Sequence, residues 1–224
     1  MGAVQVGILG GTGPAGSGLA ARLASAGLEV VIGSRSKERA QETCDEICKK
    51  WPERELSLEP GDNLRAAAAE VVVVATPWDA AAMTVSSVAT RLTGKVVISM
   101  ANALAKVGDE FEPLVPPRGS VAAHVQSAAP GALVAAAFHH LPAKALANLN
   151  TPIDADVLIC SDHRVAFEKT AELVELIPNL RPLNAGSLSN AAPIEAVTAV
   201  LLQLNVRYKT RAAIRLTGIE LPGK

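Results

Sequence analysis

Apolar positions along the chain fall into two periodicities, short unbroken runs and longer stretches in which apolar residues recur every three or four positions, and their alternation predicts a β-α-β succession. The first run, Val4 to Leu9, reads as a buried strand, and Ser17 to Ala26 after it reads as a helix rich in alanine and leucine. Further strands are expected at Glu29 to Gly33, Val71 to Ala75, Lys95 to Met100, Leu133 to Phe138 and Asp156 to Cys160. The β-branched run Val71-Val72-Val73-Val74 suits a strand covered on both faces. Glu55 to Glu59 alternates like an edge strand, and Pro60-Gly61-Asp62-Asn63 reads as a turn into a short helix from Leu64 to Ala69. Helices are expected from Ser36 to Lys50, closed by Pro52, then at Ser120 to Ala129, Arg164 to Ile177 and about Asn190 to Val206, with another starting at Trp78. The stretch from Lys106 to Gly119, which holds Pro113, Pro116 and Pro117, reads as irregular, and Asn184-Ala185-Gly186 as a connection.

The strongest local signal lies between the first strand and the first helix, where Gly11, Gly13 and Gly16 supply a G-x-G-x-x-G spacing within Gly10-Gly11-Thr12-Gly13-Pro14-Ala15-Gly16. In such a turn the first glycine lets the chain bend sharply, the second leaves room for a pyrophosphate, and the third lets helix and strand pack closely. Backbone N–H groups at the helix start then face the ligand, where the helix dipole favours negative charge. The plainer alternative is a turn whose glycines serve only positive backbone dihedrals. With a strand before and a helix after, the spacing points to a dinucleotide. The fold expected is α/β, a doubly wound, mostly parallel Rossmann-type sheet over residues 1–140, with a smaller C-terminal α/β part over residues 141–224.

Which dinucleotide depends on the end of the second strand. An NAD site usually offers Asp or Glu there to the adenosine ribose; this chain offers Ser34 and Arg35, with Arg39 one helical turn further on the same face. A hydroxyl and two guanidinium groups suit a 2′-phosphate, which indicates NADP(H). Alternatively, Ser34 caps the following helix and both arginines are solvated. Ligands of doubly wound sheets lie beyond the carboxyl ends of the strands, so Thr76-Pro77-Trp78, Ser99-Met100-Ala101-Asn102 and His139-His140 are expected at one rim. Trp78 is equally read as a packing anchor, and His139 as a satisfied surface residue. The last helix is strongly apolar through Leu201-Leu202-Gln203-Leu204 and turns basic with Arg207, Lys209, Arg211 and Arg215.

Composition narrows the class of function. The chain has 224 residues, 49% of them apolar and 3% aromatic, so its core is built of Ala, Val, Leu and Ile. A formal net charge of −1 argues against a general nucleic-acid or membrane-surface binder. No apolar stretch reaches the eighteen or so residues of a membrane span, nothing at the N-terminus reads as an export signal, and Val6 breaks the lipidation pattern that Met1-Gly2 begins. Cys44, Cys48 and Cys160 form no disulfide framework and point to a reducing, cytoplasmic setting. Cys44 and Cys48 lie one turn apart, but no further ligand pair is near, so no metal site is expected.

Taken together, Gly7-Ile8-Leu9-Gly10-Gly11-Thr12-Gly13, Gly33-Ser34-Arg35 with Arg39, Thr76-Pro77-Trp78, His139 with Pro142-Ala143, and Arg181-Pro182-Leu183-Asn184-Ala185-Gly186 followed by Leu188-Ser189-Asn190 resemble the family of coenzyme F420-dependent NADP oxidoreductases. The resemblance spans almost the whole chain. It implies a hydride passed between C4 of the nicotinamide and C5 of the deazaflavin, with the two rings stacked in one cleft and no obligatory catalytic side chain. By the same resemblance Gly11, Thr12, Gly13, Pro14, Ala15 and Gly16 hold the pyrophosphate, and Ser34, Arg35 and Arg39 the 2′-phosphate. Thr76, Pro77 and Ala137 seat the nicotinamide; Trp78, His139, Leu202, Leu204 and Asn205 touch the deazaflavin, with His139 as an assisting residue. Arg207, Lys209 or Arg211 meets the coenzyme's acidic tail, and a homodimer is implied, with the apolar last helix in the contact. Two other readings share the scaffold: an NADP-dependent reductase of a small imine or carbonyl, which needs an acid such as His139 to protonate its substrate, and an NADPH-binding redox sensor without turnover.

Overall fold

The structure is a computed structural model that describes residues 4–220; Met1 and Gly2, read above for lipidation, lie outside them. In chain order its elements are β1 (Gln5–Leu9), α1 (Pro14–Ser25), β2 (Glu29–Ser34), α2 (Lys37–Lys50), β3 (Leu58–Asp62), α3 (Asn63–Ala66), β4 (Val71–Val74) and α4 (Trp78–Leu92). There follow β5 (Val96–Ser99), β6 (Leu104–Val107), β7 (Glu110–Pro113), α5 (Val121–Ala128), β8 (Leu133–Ala136), α6 (Ala143–Leu146), β9 (Ala155–Ser161), α7 (Arg164–Glu175), β10 (Leu180–Asn184) and α8 (Ala191–Tyr208).

Eight strands make one sheet in the order β10-β9-β8-β5-β4-β1-β2-β3. The six from β3 to β8 run parallel; β9 lies antiparallel to β8, and β10 parallel to β9. Sequence order advances from β1 to β3 on one side and from β4 to β8 on the other, so the succession reverses between β1 and β4 and opens a crevice there. Apolar side chains cover both faces, which is why the central strands read as unbroken runs. Val6, Ile8, Ile32 and Val73 pack with Leu19 and Leu23 of α1 on one face, while Val72, Val74, Val97 and Val134 pack with Val85 of α4 and Val125 of α5 on the other.

Three elements differ from the sequence reading. The third strand is Leu58–Asp62, so Pro60-Gly61-Asp62 is extended and not a turn; β3 is the sheet's edge, where the missing N–H of a proline is tolerated. The irregular stretch contains an antiparallel hairpin, β6 with β7, closed by Gly108-Asp109 with Gly108 at φ 59°. Leu180–Asn184 forms the edge strand β10, again through a segment containing a proline, Pro182. Beyond α8 the chain returns across the start of β9. There the fully buried carboxylate of Asp156 accepts hydrogen bonds from Arg181 Nε at 2.6 Å, Arg181 Nη2 at 2.8 Å and the Leu216 amide at 2.7 Å. Burial pushes this carboxyl up, but those donors outweigh it and hold it below the usual range. No helix among the described residues is long and apolar enough to cross a membrane.

Candidate functional site

The glycine loop connects β1 to α1 at the reversal point. Its sharp bend falls on Gly10, at φ 68°, where a Cβ would stand 2.6 Å from Thr76 Cγ2 and 3.1 Å from the Thr76 backbone. The glycine one place before the G-x-G-x-x-G spacing therefore makes the turn. A Cβ on Gly16 would meet Gly11 Cα at 2.9 Å, so these two glycines let α1 sit directly on the loop. A Cβ on Gly13 would have open space around it, with only Gly10 O at 3.9 Å, so a phosphate can approach the backbone there. Gly13 is also the N-cap of α1; no side chain caps that helix, and Pro14 takes its first position. The Gly10 amide donates to Asn63 Oδ1 at 3.3 Å, a contact that the spacing of the motif does not reveal.

At the end of β2 the α2 cap is Ser36, not Ser34: Ser36 Oγ accepts from the Arg39 amide at 3.2 Å. Ser34 is buried, and its hydroxyl oxygen accepts from the Ser36 amide at 3.2 Å, which leaves the hydroxyl proton to donate elsewhere. The side chains of Arg35 and Arg39 are exposed and form no ion pair among the described residues. The nearest acid in register is Asp62, which pairs with Ser34 across β2 and β3. It is already engaged, accepting from the Arg65 amide at 2.7 Å as the cap of α3, with Lys37 at 3.9 Å. This corner therefore presents two free guanidinium groups and a hydroxyl where an NAD site would present a free carboxylate.

The other end of the crevice lies over the ends of β4, β5 and β8. Among the described residues, Thr76 Oγ1, Ser99 Oγ, both Nδ1 and Nε2 of His139, and Nδ1 of the adjoining His140 are buried with no hydrogen-bond partner. Phe138, fully buried, holds φ 63°, a conformation that costs a bulky side chain energy and that here turns the chain from β8 into His139. Burial, and then the neighbouring His140 ring, lower the His139 pKa to about 3, against a weaker upward pull from the Ala137 backbone, with which the ring forms no hydrogen bond of good geometry. The imidazole is thereby held neutral at ordinary pH, with one ring nitrogen to donate and one to accept a hydrogen bond. Ala137 is fully buried beside it; Pro77 is exposed and Trp78 half-buried at the start of α4.

Segments far apart in sequence fix this end. Asn102 Nδ2 donates to the His139 carbonyl at 2.7 Å, and Thr198 of α8 donates to Asn102 Oδ1 at 3.3 Å. Leu202 and Asn205 share the face of α8 that carries Thr198, whereas Leu204 points about a third of a turn away and is 37% exposed. One turn before Thr198, the buried Glu195 carboxylate accepts from the amides of Val121 at 2.8 Å and Ala122 at 3.1 Å, capping α5. Burial pushes Glu195 up to about 7 in spite of these two bonds. From the opposite side, buried Arg22 of α1 reaches the carbonyls of Leu146 at 3.0 Å, Ala145 at 2.8 Å and Thr151 at 2.7 Å, and also that of Asn148. It thereby ties α1 to the segment that follows His139. Asn102 was expected at this rim from its place after β5, although not its bond to the His139 carbonyl, whereas Asn63, Thr198, Glu195 and Arg22 were not legible as site residues, since each acts through a partner distant in the chain.

Cys44 and Cys160 are buried, with thiols pushed by burial up to about 12 and about 11, and Cys48 is exposed; none forms a disulfide. No group of three or more His, Cys, Asp or Glu side chains among the described residues is placed to hold a metal.

A family model described as NADP oxidoreductase, coenzyme F420-dependent, matches residues 5–103. The chain is 36% identical to the F420-dependent NADP reductase of Methanothermobacter thermautotrophicus over 226 residues, covering 96% of each protein. It is 34% identical to the F420-dependent NADP reductase of Methanocaldococcus jannaschii, covering 97% of this chain and 100% of that one. In fold it is similar to the crystal structure of a protein from Arthrobacter sp. FB24, with a TM-score of 0.81 and 22% identity over 96% of this chain and 100% of that one.

Proposed function

The chain belongs to the coenzyme F420-dependent NADP oxidoreductase family, and on that footing we propose that it transfers a hydride, in either direction, between NADP(H) and the deazaflavin coenzyme F420. The observation that supports the site most directly is the group of orphaned buried polar atoms, Thr76 Oγ1, Ser99 Oγ and the His139 ring nitrogens, gathered at the carboxyl ends of neighbouring strands. Buried polar groups are seldom left unmet, so a crevice that collects them is suited to a ligand with polar edges.

In this reading residues 1–140 bind NADP and residues 141–224 complete the deazaflavin side. Gly11, Thr12, Gly13, Pro14, Ala15 and Gly16 cradle the pyrophosphate, and Ser34, Arg35 and Arg39 grip the 2′-phosphate. Thr76, Pro77 and Ala137 seat the nicotinamide; Trp78, His139, Leu202 and Asn205 line the deazaflavin side. The coenzymes supply the redox chemistry, and the protein supplies alignment and the exclusion of water. The imine or carbonyl reductase alternative needs a proton donor, and in that reading His139→Ala would abolish turnover.

Along α8, Val197, Val200, Leu204 and Tyr208 form one stripe, of which Val200 is 56% and Tyr208 69% exposed. A stripe of this kind supports a homodimer through α8, and the three free thiols suit a cytoplasmic protein. Paired Val200→Asp and Leu204→Asp substitutions are expected to halve the mass seen by sedimentation; an unchanged mass would place the contact elsewhere. The activity itself is tested by mixing the protein with NADPH and oxidised F420. Loss of the deazaflavin's visible absorption in step with NADPH oxidation is expected. Oxidation of NADPH by a cyclic imine without that bleaching would replace the reading.

A further inference from the structure

The base of α8 carries a buried carboxylate that hydride transfer itself does not use. Glu195 is 5% exposed, and its partners are two consecutive backbone amides at the start of α5: Oε2 accepts from Val121 at 2.8 Å and Oε1 from Ala122 at 3.1 Å. The next amide, that of Ala123, donates to Ser120 Oγ at 3.0 Å. Each of the first three amides of α5 is thus met by a side-chain oxygen, two of them by oxygens from another helix. Burying a carboxylate costs more than burying an apolar side chain of the same size. Apolar residues alone would cover this face of α8 while tolerating sliding along α5, whereas two directional bonds to fixed amides admit one placement.

The same helix face leads to the ring crevice. At about 100° per residue, Glu195, Thr198, Leu202 and Asn205 fall within about 80° of one another around α8. Thr198 Oγ1 donates to Asn102 Oδ1 at 3.3 Å and reaches the His139 carbonyl at 3.5 Å, and Asn102 Nδ2 donates to that same carbonyl at 2.7 Å. The buried residues of α8 are Ala191, Glu195, Thr198, Ala199 and Leu201, so the first half of the helix is embedded and the second half, which carries Leu202 and Asn205, is not. The ion pair in that second half, Arg207 with Glu110 at 4.0 Å, is exposed on both sides. A helix held at its base carries any shift there out to its tip: Asn205 stands ten positions beyond Glu195, about 15 Å along the axis.

We propose that Glu195 is a positioning residue for the hydride acceptor: by clamping α8 onto the first two amides of α5 it sets Thr198 against the His139 carbonyl and fixes where Leu202 and Asn205 stand. The inference rests on the reading of the crevice as a deazaflavin site. Glu195 itself spends both oxygens on amides and acts only through α8.

The test is steady-state kinetics at about pH 8, above the value of about 7 to which burial raises this carboxyl, so that it is ionised. Glu195→Gln leaves one acceptor for two amides. Glu195→Asp keeps the charge on a side chain one methylene shorter, which meets the amides only if α8 moves. Both are expected to raise KM for F420 about 5- to 20-fold, with KM for NADPH held within about twofold. Ser120→Ala removes an acceptor from the same end of α5 without touching α8, so it should lower Tm and leave both KM values as they are. Combining Glu195→Asp with Thr198→Val should raise KM for F420 by less than the product of the two single effects, since one residue acts through the other. Should Glu195→Gln not fold, Glu195→Asp and Ser120→Ala decide alone. An unchanged KM for F420 in Glu195→Asp, an equal rise in Ser120→Ala, or fully multiplicative effects in the double variant overturns the positioning role while leaving the hydride-transfer reading in place. A wild type that does not bleach F420 with NADPH overturns both.

Discussion

At the proposed 2′-phosphate corner, everything offered to a ligand lies between Gly11 and Arg39: a glycine loop, an uncapped helix start, a serine hydroxyl and two unpaired guanidinium groups. At the ring end, the Thr198–Asn102 bond joins residues 96 apart, and Arg22 reaches carbonyls as far as 129 positions away. In the proposed reading the first region recognises charge through parts of one β-α-β unit, braced from outside only at the Gly10 amide by Asn63. In the same reading the second recognises flat rings through atoms that become a site only after α1, α6, α8 and three strand ends have packed together. Affinity for the nucleotide should therefore respond to local changes, and affinity for the deazaflavin to distant ones.

The sharpest test of that contrast is at the charged corner. Removing Arg35 and Arg39 together is expected to raise KM for NADPH about 100-fold or more, since hydrogen bonds between charged partners contribute about 1.5–3 kcal/mol each. Both kcat and KM for NADH should change little. A retained preference for NADPH would undo the assignment. Next in size is Arg22→Ala, which strands three or more buried carbonyls and should destabilise by about 3 kcal/mol, lowering Tm by roughly 6–12 °C. At a temperature where the variant stays folded, KM for the deazaflavin should rise while KM for NADPH holds; equal rises would mean that the two ends are not separable.

A smaller effect comes from Glu195. Its folded carboxyl holds a proton up to about pH 7, against an ordinary value of 4.5. The stability it contributes is therefore fully present below about 4.5 and lost as pH rises through 7. Between pH 5 and 8 the wild-type Tm should fall by a few degrees more than that of Glu195→Gln, and parallel curves would refute the link. Smallest of all should be His139→Ala: kcat within about tenfold of wild type, with no inflection between pH 5 and 8 attributable to this ring, since its pKa lies near 3.

Much of the fold was readable because strands covered on both faces leave unbroken apolar runs and helices leave periodic ones. Val71–Val74 and Val96–Ser99 lie within the stretches where their side chains place them. The edge strands β3 and β10 were harder: Pro60-Gly61 reads as a turn, and the segment around Pro182 carries no strand signal, since only an edge position makes a proline compatible with pairing. The hairpin Leu104–Pro113 was hidden by the prolines that follow it, although Gly108-Asp109 is a hairpin signal in its own right. The residues of the proposed 2′-phosphate corner were visible as residue types at the right spacing. Asn63 and Thr198 were not, for no spacing marks a side chain whose partner is contributed by another part of the fold.

The central claim is that two rings meet in one crevice closely enough for direct transfer. NADPH carrying deuterium at nicotinamide C4 should deliver it to C5 of F420 in a single turnover, in deuterium-free solvent, with the label retained. Label lost to water, or reduced deazaflavin without label from either face of the nicotinamide, would contradict it.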